Sequence, residues 1–232
     1  MLRKILLACG ILSSLLYLVE INVLAPMRYP GYSSKSQVPS ELFAIGAPAN
    51  TLLFRVLGIT YVALLIAFGV GVWQSAGGKR SLRVTGALLV AGSVIGFVGT
   101  FFPMHQREVL AAGGATLSDT MHQIIYGAIA SPIAFAYIGF AAFAIRNIWF
   151  RLYSIATILI MLVSGALLAK DSSKIGRNES TPWAGVSERA IIVAYMIWII
   201  VLTIVLWRSK NPHLIGEGDQ LQTQRQTPSS AI

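Results

Sequence analysis

The stretch AIIVAYMIWIIVLTIVLW, Ala190 to Trp207, runs for eighteen residues without a charge and is apolar on every side. A strand of an outer-membrane barrel alternates apolar and polar over about 10 residues, so this run reads as a helix built to cross the ~30 Å hydrocarbon layer of a bilayer. Comparable runs recur at about 5–25, 56–73, 84–102, 124–145 and 152–169, which makes six crossings. Hydrophobic residues form 55% of the chain and charged ones 12%, with mean hydropathy +0.69, which excludes an ordinary soluble domain. The expected fold is an all-α, six-helix transmembrane bundle over residues 1–210, with a polar and disordered tail over 211–232.

The first run could be mistaken for a removed targeting peptide, since Met1-Leu-Arg-Lys gives it a basic start. Glu20 inside it, Pro26 after it and five further runs argue for retention. Cys9 is the single cysteine, which excludes an intramolecular disulfide and any multi-cysteine metal centre.

Six crossings place both termini on one side. Arg3, Lys4, Lys79, Arg80, Arg83, Arg146, Arg151, Arg208 and Lys210 crowd the short loops and ends of that side, with no acid among them, which marks it as cytoplasmic. The opposite side holds eight positives, a narrow margin, but spread over longer segments. The formal charge of +9 therefore reads as topology anchors scattered at helix ends, and no basic stripe interleaved with aromatics points to nucleic acid. Membrane lipids are the expected partners, and six spans suit either a minimal fold or a homo-oligomer.

Polar chemistry gathers on the outer side. Seven of the nine acids (Glu20, Glu41, Glu108, Asp119, Asp171, Glu179, Glu188) and two of the three histidines fall there. His105-x-x-Glu108 and Asp119-x-x-His122 stand at the two feet of one helical hairpin, and residues three apart on a helix share a face. His105, Glu108, Asp119 and His122 are thus candidate catalytic groups for proton transfer, or candidate ligands for a divalent metal such as zinc. The competing reading makes them caps and interfacial polar groups, with Ser118 or Asp119 as the N-cap of the fourth span.

Glu20 lies well inside the first apolar run, where an isolated carboxylate costs at least ~2.5 kcal/mol. Its expected partner is Arg55 or Arg189, in a structural pair or a ligand site. The longest outer segment, Pro26 to Arg55, is rich in turn formers, and Ser40 followed by Glu41 suggests the N-cap of a short surface helix within SELFAIG. Pro132 should kink the fourth span, with Ser131 available to satisfy a freed carbonyl. Gly92-x-x-x-Gly96 with Gly99 should allow close helix approach.

The segments YPGYSSKSQVPSELFAIGAPAN (29 to 50) and FPMHQRE (102 to 108) with TLSDTMHQ (116 to 123) resemble the bacterial and archaeal membrane proteins grouped as domain of unknown function 998. A more distant similarity is to the DRAM-like six-span proteins. The resemblance covers roughly residues 8 to 207, implies an integral protein of the cell membrane, and carries no activity with it. It marks Tyr32, Ser33, Ser40, Glu41, Gly46, Pro48, His105, Arg107, Asp119 and His122 as positions that fit the pattern. Glu41 and Arg107 thereby join Glu20, Arg55 and Arg189 as candidate ligand-binding residues. Three functions remain open: binding of a lipid or small ligand, an enzyme acting on a lipid or lipid-linked group, and a small carrier or channel. No Gly-x-Ser-x-Gly or His-Glu-x-x-His signature supports an enzyme.

Overall fold

In the computed structural model, which describes residues 1–209, the apolar runs are helices and no strand occurs among the described residues. The spans are α1 (Leu2–Met27), α3 (Leu52–Gln74), α4 (Arg80–Gly99), α6 (Leu117–Ala144), α7 (Ile148–Gly176) and α8 (Ala184–Arg208). Two short helices, α2 (Pro39–Leu42) and α5 (Arg107–Ala111), belong to the loops. In lipid every backbone group must be satisfied within its own segment, and each span meets that need by being helical throughout. The expected tail at 211–232 lies outside the described residues.

Each span packs on its chain neighbours, and α8 closes back on α1, so the six form a ring. Its centre is filled by Phe68, Tyr137, Ile138, Trp198, Ile199 and Leu202. Trp198 is fully buried, and its indole N–H donates to Ser154 Oγ at 3.0 Å, so the largest core side chain leaves no orphan donor. On α7 the outward Leu152, Ile155, Leu159, Leu162 and Val163 stay exposed, as a lipid-facing surface requires.

Each span begins before its apolar run, although α4 stops at Gly99 and α6 at Ala144, short of the expected 102 and 145. Helix α7 continues through Lys170, Asp171 and Lys174, α8 begins before Glu188 and Arg189, and α6 begins before Asp119 and His122. Charged residues end a hydropathy window but do not end a helix. Two stretches are π-helical, Glu20–Leu24 in α1 and Ile124–Ala130 in α6, each just ahead of a proline, Pro26 and Pro132. In α6 the Ser131 hydroxyl donates to the Tyr126 carbonyl at 2.8 Å, which is not the carbonyl that Pro132 frees four or five residues before it.

At the terminal end, basic side chains cap helix C-termini. Arg3 reaches the Leu206 carbonyl at 3.4 Å, Lys79 the Ala144 carbonyl at 3.1 Å and Arg151 the Ala142 carbonyl at 3.1 Å. These basic side chains thus satisfy orphan carbonyls and oppose the helix dipole. The opposite end carries segments 28–51, 100–116 and 177–183, and is called the loop end below.

Of the three glycines expected to allow close approach only Gly99 does, where a Cβ would lie 2.6 Å from the Tyr126 ring, while Gly92 and Gly96 do not. A Cβ at Gly96 would meet nothing within 4 Å, and at Gly92 only Ile133 at 3.4 Å and Tyr137 at 3.9 Å. Between α3 and α4, a Cβ at Gly86 would lie 2.7 Å from Trp73 N and 2.8 Å from the Gly69 carbonyl, both backbone atoms that cannot swing aside. Gly86→Ala should therefore destabilise the bundle by about 1–3 kcal/mol, whereas Gly96→Ala should leave it nearly unchanged. Thermal unfolding in detergent checks this pair, and equal effects would refute the assigned contact.

Candidate functional site

The loop end is held by one buried ion pair. Arg107, the first residue of α5, is 8% exposed, and Glu41 in α2 is 3% exposed. The guanidinium meets the carboxylate with two nitrogens: Nε donates to Oε1, and Nη2 donates to Oε2 at 2.9 Å. Such a fork is the strong form of an ion pair, and the rest of each group is also satisfied. Arg107 Nη1 donates to Thr181 Oγ1 at 2.7 Å, and Nη2 to the Ser36 carbonyl at 3.1 Å. Glu41 Oε2 accepts the Val38 N–H at 2.7 Å. Three loops distant in sequence are thereby tied at one point.

The N-cap of α2 is Val38, not Ser40, because Pro39 occupies the first turn and Glu41 turns back to the Val38 amide. Ser40 is left free to donate to both carboxylate oxygens of Glu188 at 3.0 and 3.1 Å, which joins α2 to α8.

A second clamp is Arg189 on α8. It donates to Tyr32 Oη at 2.9 Å, to the carbonyls of Ser34 and Gln37 at 2.8 and 3.2 Å, and to Asn22 Oδ1 at 3.2 Å. The first loop also lies directly on Gly185, where a Cβ would come within 2.3 Å of the Gln37 carbonyl and 2.5 Å of the Ser34 carbonyl. Tyr32 itself donates toward the Gln37 and Val38 carbonyls at 3.0 and 3.1 Å. Burial pushes its phenol up to about 12, against the opposing pull of Arg189.

The two histidines pair differently from the expected i, i+3 pattern. His105 is in extended backbone before α5, bridged to Ile45, and the helical spacing rule does not reach it. Its Nδ1 lies 2.9 Å from Asp119 Oδ2, and its backbone N–H donates to Asp119 Oδ1 at 2.7 Å. Asp119 also accepts the Thr116 N–H at 2.8 Å, in a capping box whose N-cap is Thr116 rather than Ser118 or Asp119. His122 Nδ1 turns to the Phe102 carbonyl at 3.0 Å, and Glu108 is exposed.

The proposed metal set is therefore split. His105 and Asp119 meet, Glu108 and His122 point elsewhere, and no group of three His, Cys, Asp or Glu side chains able to hold a metal ion occurs among the described residues. A zinc centre needs at least three protein ligands, so the residues present do not fit one. No hydroxyl or thiol is hydrogen-bonded to either imidazole among the described residues.

Glu20 departs most from expectation. It is 2% exposed, and its Oε2 has no hydrogen-bond partner among the described residues. Arg189 is engaged as above, and Arg55 is turned to Asn50 Oδ1 at 3.4 Å. Neither expected cation reaches it. Two grooves of about 470 and 450 Å³ open elsewhere, one on Phe135, Phe140 and Phe143, the other on Leu12, Thr203 and Trp207, both away from the loop-end polar groups.

The model of the family described as Protein of unknown function (DUF998) matches residues 11–205. The chain belongs to that family. No curated protein and no solved structure matches it. The DUF998 match spans every element from within α1 to near the end of α8, so the loop-end clamps fall inside the family region.

Sequence reading found Glu41, Arg107, Asp119 and His105 but missed Thr181, which closes the clamp, and Tyr17 and Tyr61, which stack at 4.6 Å between ring centroids one turn from Glu20. Removing one partner of a buried pair strands the other, so Arg107→Ala should cost about 3–5 kcal/mol in unfolding free energy. Arg177→Ala, which breaks the exposed pair with Glu179, should leave the midpoint unchanged, and equal losses would contradict the clamp. For Tyr32, the folded pKa stands above the ordinary value of 10.0. Its stabilisation is complete below pH 10 and declines as pH rises toward 12, so the advantage of wild type over Tyr32→Phe should shrink across that window. A constant difference would refute the assignment.

Proposed function

We propose that this protein binds a lipid or small ligand in the loop-end half of its bundle, with the loop end facing outside the cell membrane. The observation that carries this reading is Glu20. The other buried or half-buried loop-end groups pair with one another: Glu41 with Arg107, Asp119 with His105, Glu188 with Ser40, and Arg189 with Tyr32. Among the described residues, Glu20 alone keeps a buried, unpartnered carboxylate oxygen. A structural carboxylate has a partner in the fold, while one that waits for a ligand does not, and intramembrane ionisable groups mark ligand and ion sites. The π-helical turn beginning at Glu20 supports the same reading, since such turns gather at functional positions.

A catalytic reading rests on the His105–Asp119 contact, which fixes one imidazole nitrogen and leaves the other for proton transfer. Without a nucleophile or a metal set beside it, that reading ranks second.

Binding sites trade stability for function, so replacing Glu20 gives the test. Glu20→Gln and Glu20→Leu should each raise the thermal midpoint of ligand-free protein, by a few degrees for the ~1–3 kcal/mol that an unsatisfied buried group costs. A fall in both variants would place Glu20 in the scaffold and overturn the proposal.

A further inference from the structure

We propose that the ligand group received by Glu20 is an ammonium, carried by an amine or by an amine-headed lipid; this rests on the binding reading above. The inference comes from what surrounds the carboxylate. Tyr17 on α1, Tyr61 on α3, Tyr126 on α6 and Tyr195 on α8 each lie about nine to eleven residues from the loop end of their helix, roughly 14–16 Å deep at ~1.5 Å per residue. Glu20 sits about 10 Å deep on the same scale, just above that level.

The depths coincide because the residues are neighbours. Tyr17 and Tyr61 are stacked, with 4.6 Å between centroids and 21° between planes. Tyr17 precedes Glu20 by one turn of the same helix, so the stacked pair stands next to the carboxylate. Four spans thus carry a phenol ring at one level, two of them stacked one turn from that carboxylate. Tyr17, Tyr61 and Tyr195 are half-buried. Tyr126, 37% exposed, holds the Gly96 carbonyl at 3.3 Å and puts one edge of this level on the lipid side.

The chemistry selects a cation. The two arginines expected to reach Glu20 are engaged elsewhere, Arg55 with Asn50 and Arg189 with Tyr32, so neither offers its charge to an anion beside Glu20. A hard divalent ion takes six or more oxygens, and no trio of metal-ligating side chains occurs among the described residues. An ammonium needs one carboxylate for its charge and aromatic rings for its substituents, which is the set present.

The test uses full-length protein in lipid nanodiscs and a carbodiimide, which modifies carboxyl groups in apolar surroundings; modification of Glu20 is located by peptide mass, with Glu20→Gln as the control. Tetramethylammonium, which has no N–H to couple to a carbodiimide-activated carboxyl, should lower Glu20 modification several-fold against sodium chloride at equal ionic strength. Protection by soluble tetramethylammonium in phosphatidylglycerol nanodiscs identifies a free ammonium ion. Protection only in phosphatidylethanolamine nanodiscs identifies a lipid headgroup. Tyr61→Leu should weaken protection while Glu20 remains modified, and undiminished protection would remove the rings from the site. Modification unaffected by any amine or lipid would overturn the ammonium assignment, while the thermal behaviour of Glu20→Leu still decides separately whether a binding site exists.

Discussion

The buried fork between Glu41 and Arg107 is the contact on which the loop end depends. Loops between membrane helices have no lipid to press them together and no large core of their own. Here segments that begin at Arg28, Thr100 and Arg177 converge because one guanidinium engages a carboxylate, a threonine hydroxyl and a carbonyl, each from a different partner residue. Desolvating two charges is costly, and the cost is recovered only because nearly every donor and acceptor of the pair is used. With the loops fixed, Ser40 can reach Glu188, and Arg189 can hold the first loop against Gly185.

This arrangement separates scaffold from site. Most loop-end ionisable groups that looked reactive in the sequence turn out to brace the loops, His105 and Asp119 among them. The carboxylate left over lies one level deeper, in the span where the loops offer it no cation. A DUF998 protein with this plan has a rigid lid of hydrogen bonds at one end and an aromatic, acid-bearing interior beneath it. If Glu20 receives a ligand as proposed, stability and function draw on different residues, and substitutions at Arg107 and Glu20 move stability in opposite directions.

The membrane class, the six crossings and the concentration of acids at one end were legible in the sequence because an apolar run of bilayer length is costly to expose to water and suits a membrane crossing. Helix ends were less so: Lys170, Asp171 and Lys174 interrupt a hydropathy run while their backbone stays helical, and Asp171 and Lys174 pair at 3.0 Å across one turn. The identities of Glu41, Arg107, His105 and Asp119 were visible, but their pairing was not, since Glu41 and Arg107 are 66 positions apart and only the folded loops bring them together. The tyrosines were hidden for another reason: in an apolar helix an aromatic residue looks like packing. Their equal depth on four spans was a signal in the sequence, readable only once the spans had been aligned by their ends.

The central claim is that Glu20 is the one buried loop-end carboxylate left open by a lid whose other buried charges brace each other. An experimental structure of the full chain in lipid nanodiscs tests it most directly. The account predicts non-protein density within hydrogen-bond distance of the Glu20 carboxylate, bounded by Tyr17 and Tyr61, with Arg107 on Glu41. A Glu20 side chain hydrogen-bonded to Arg55, Arg189 or another protein group would contradict it.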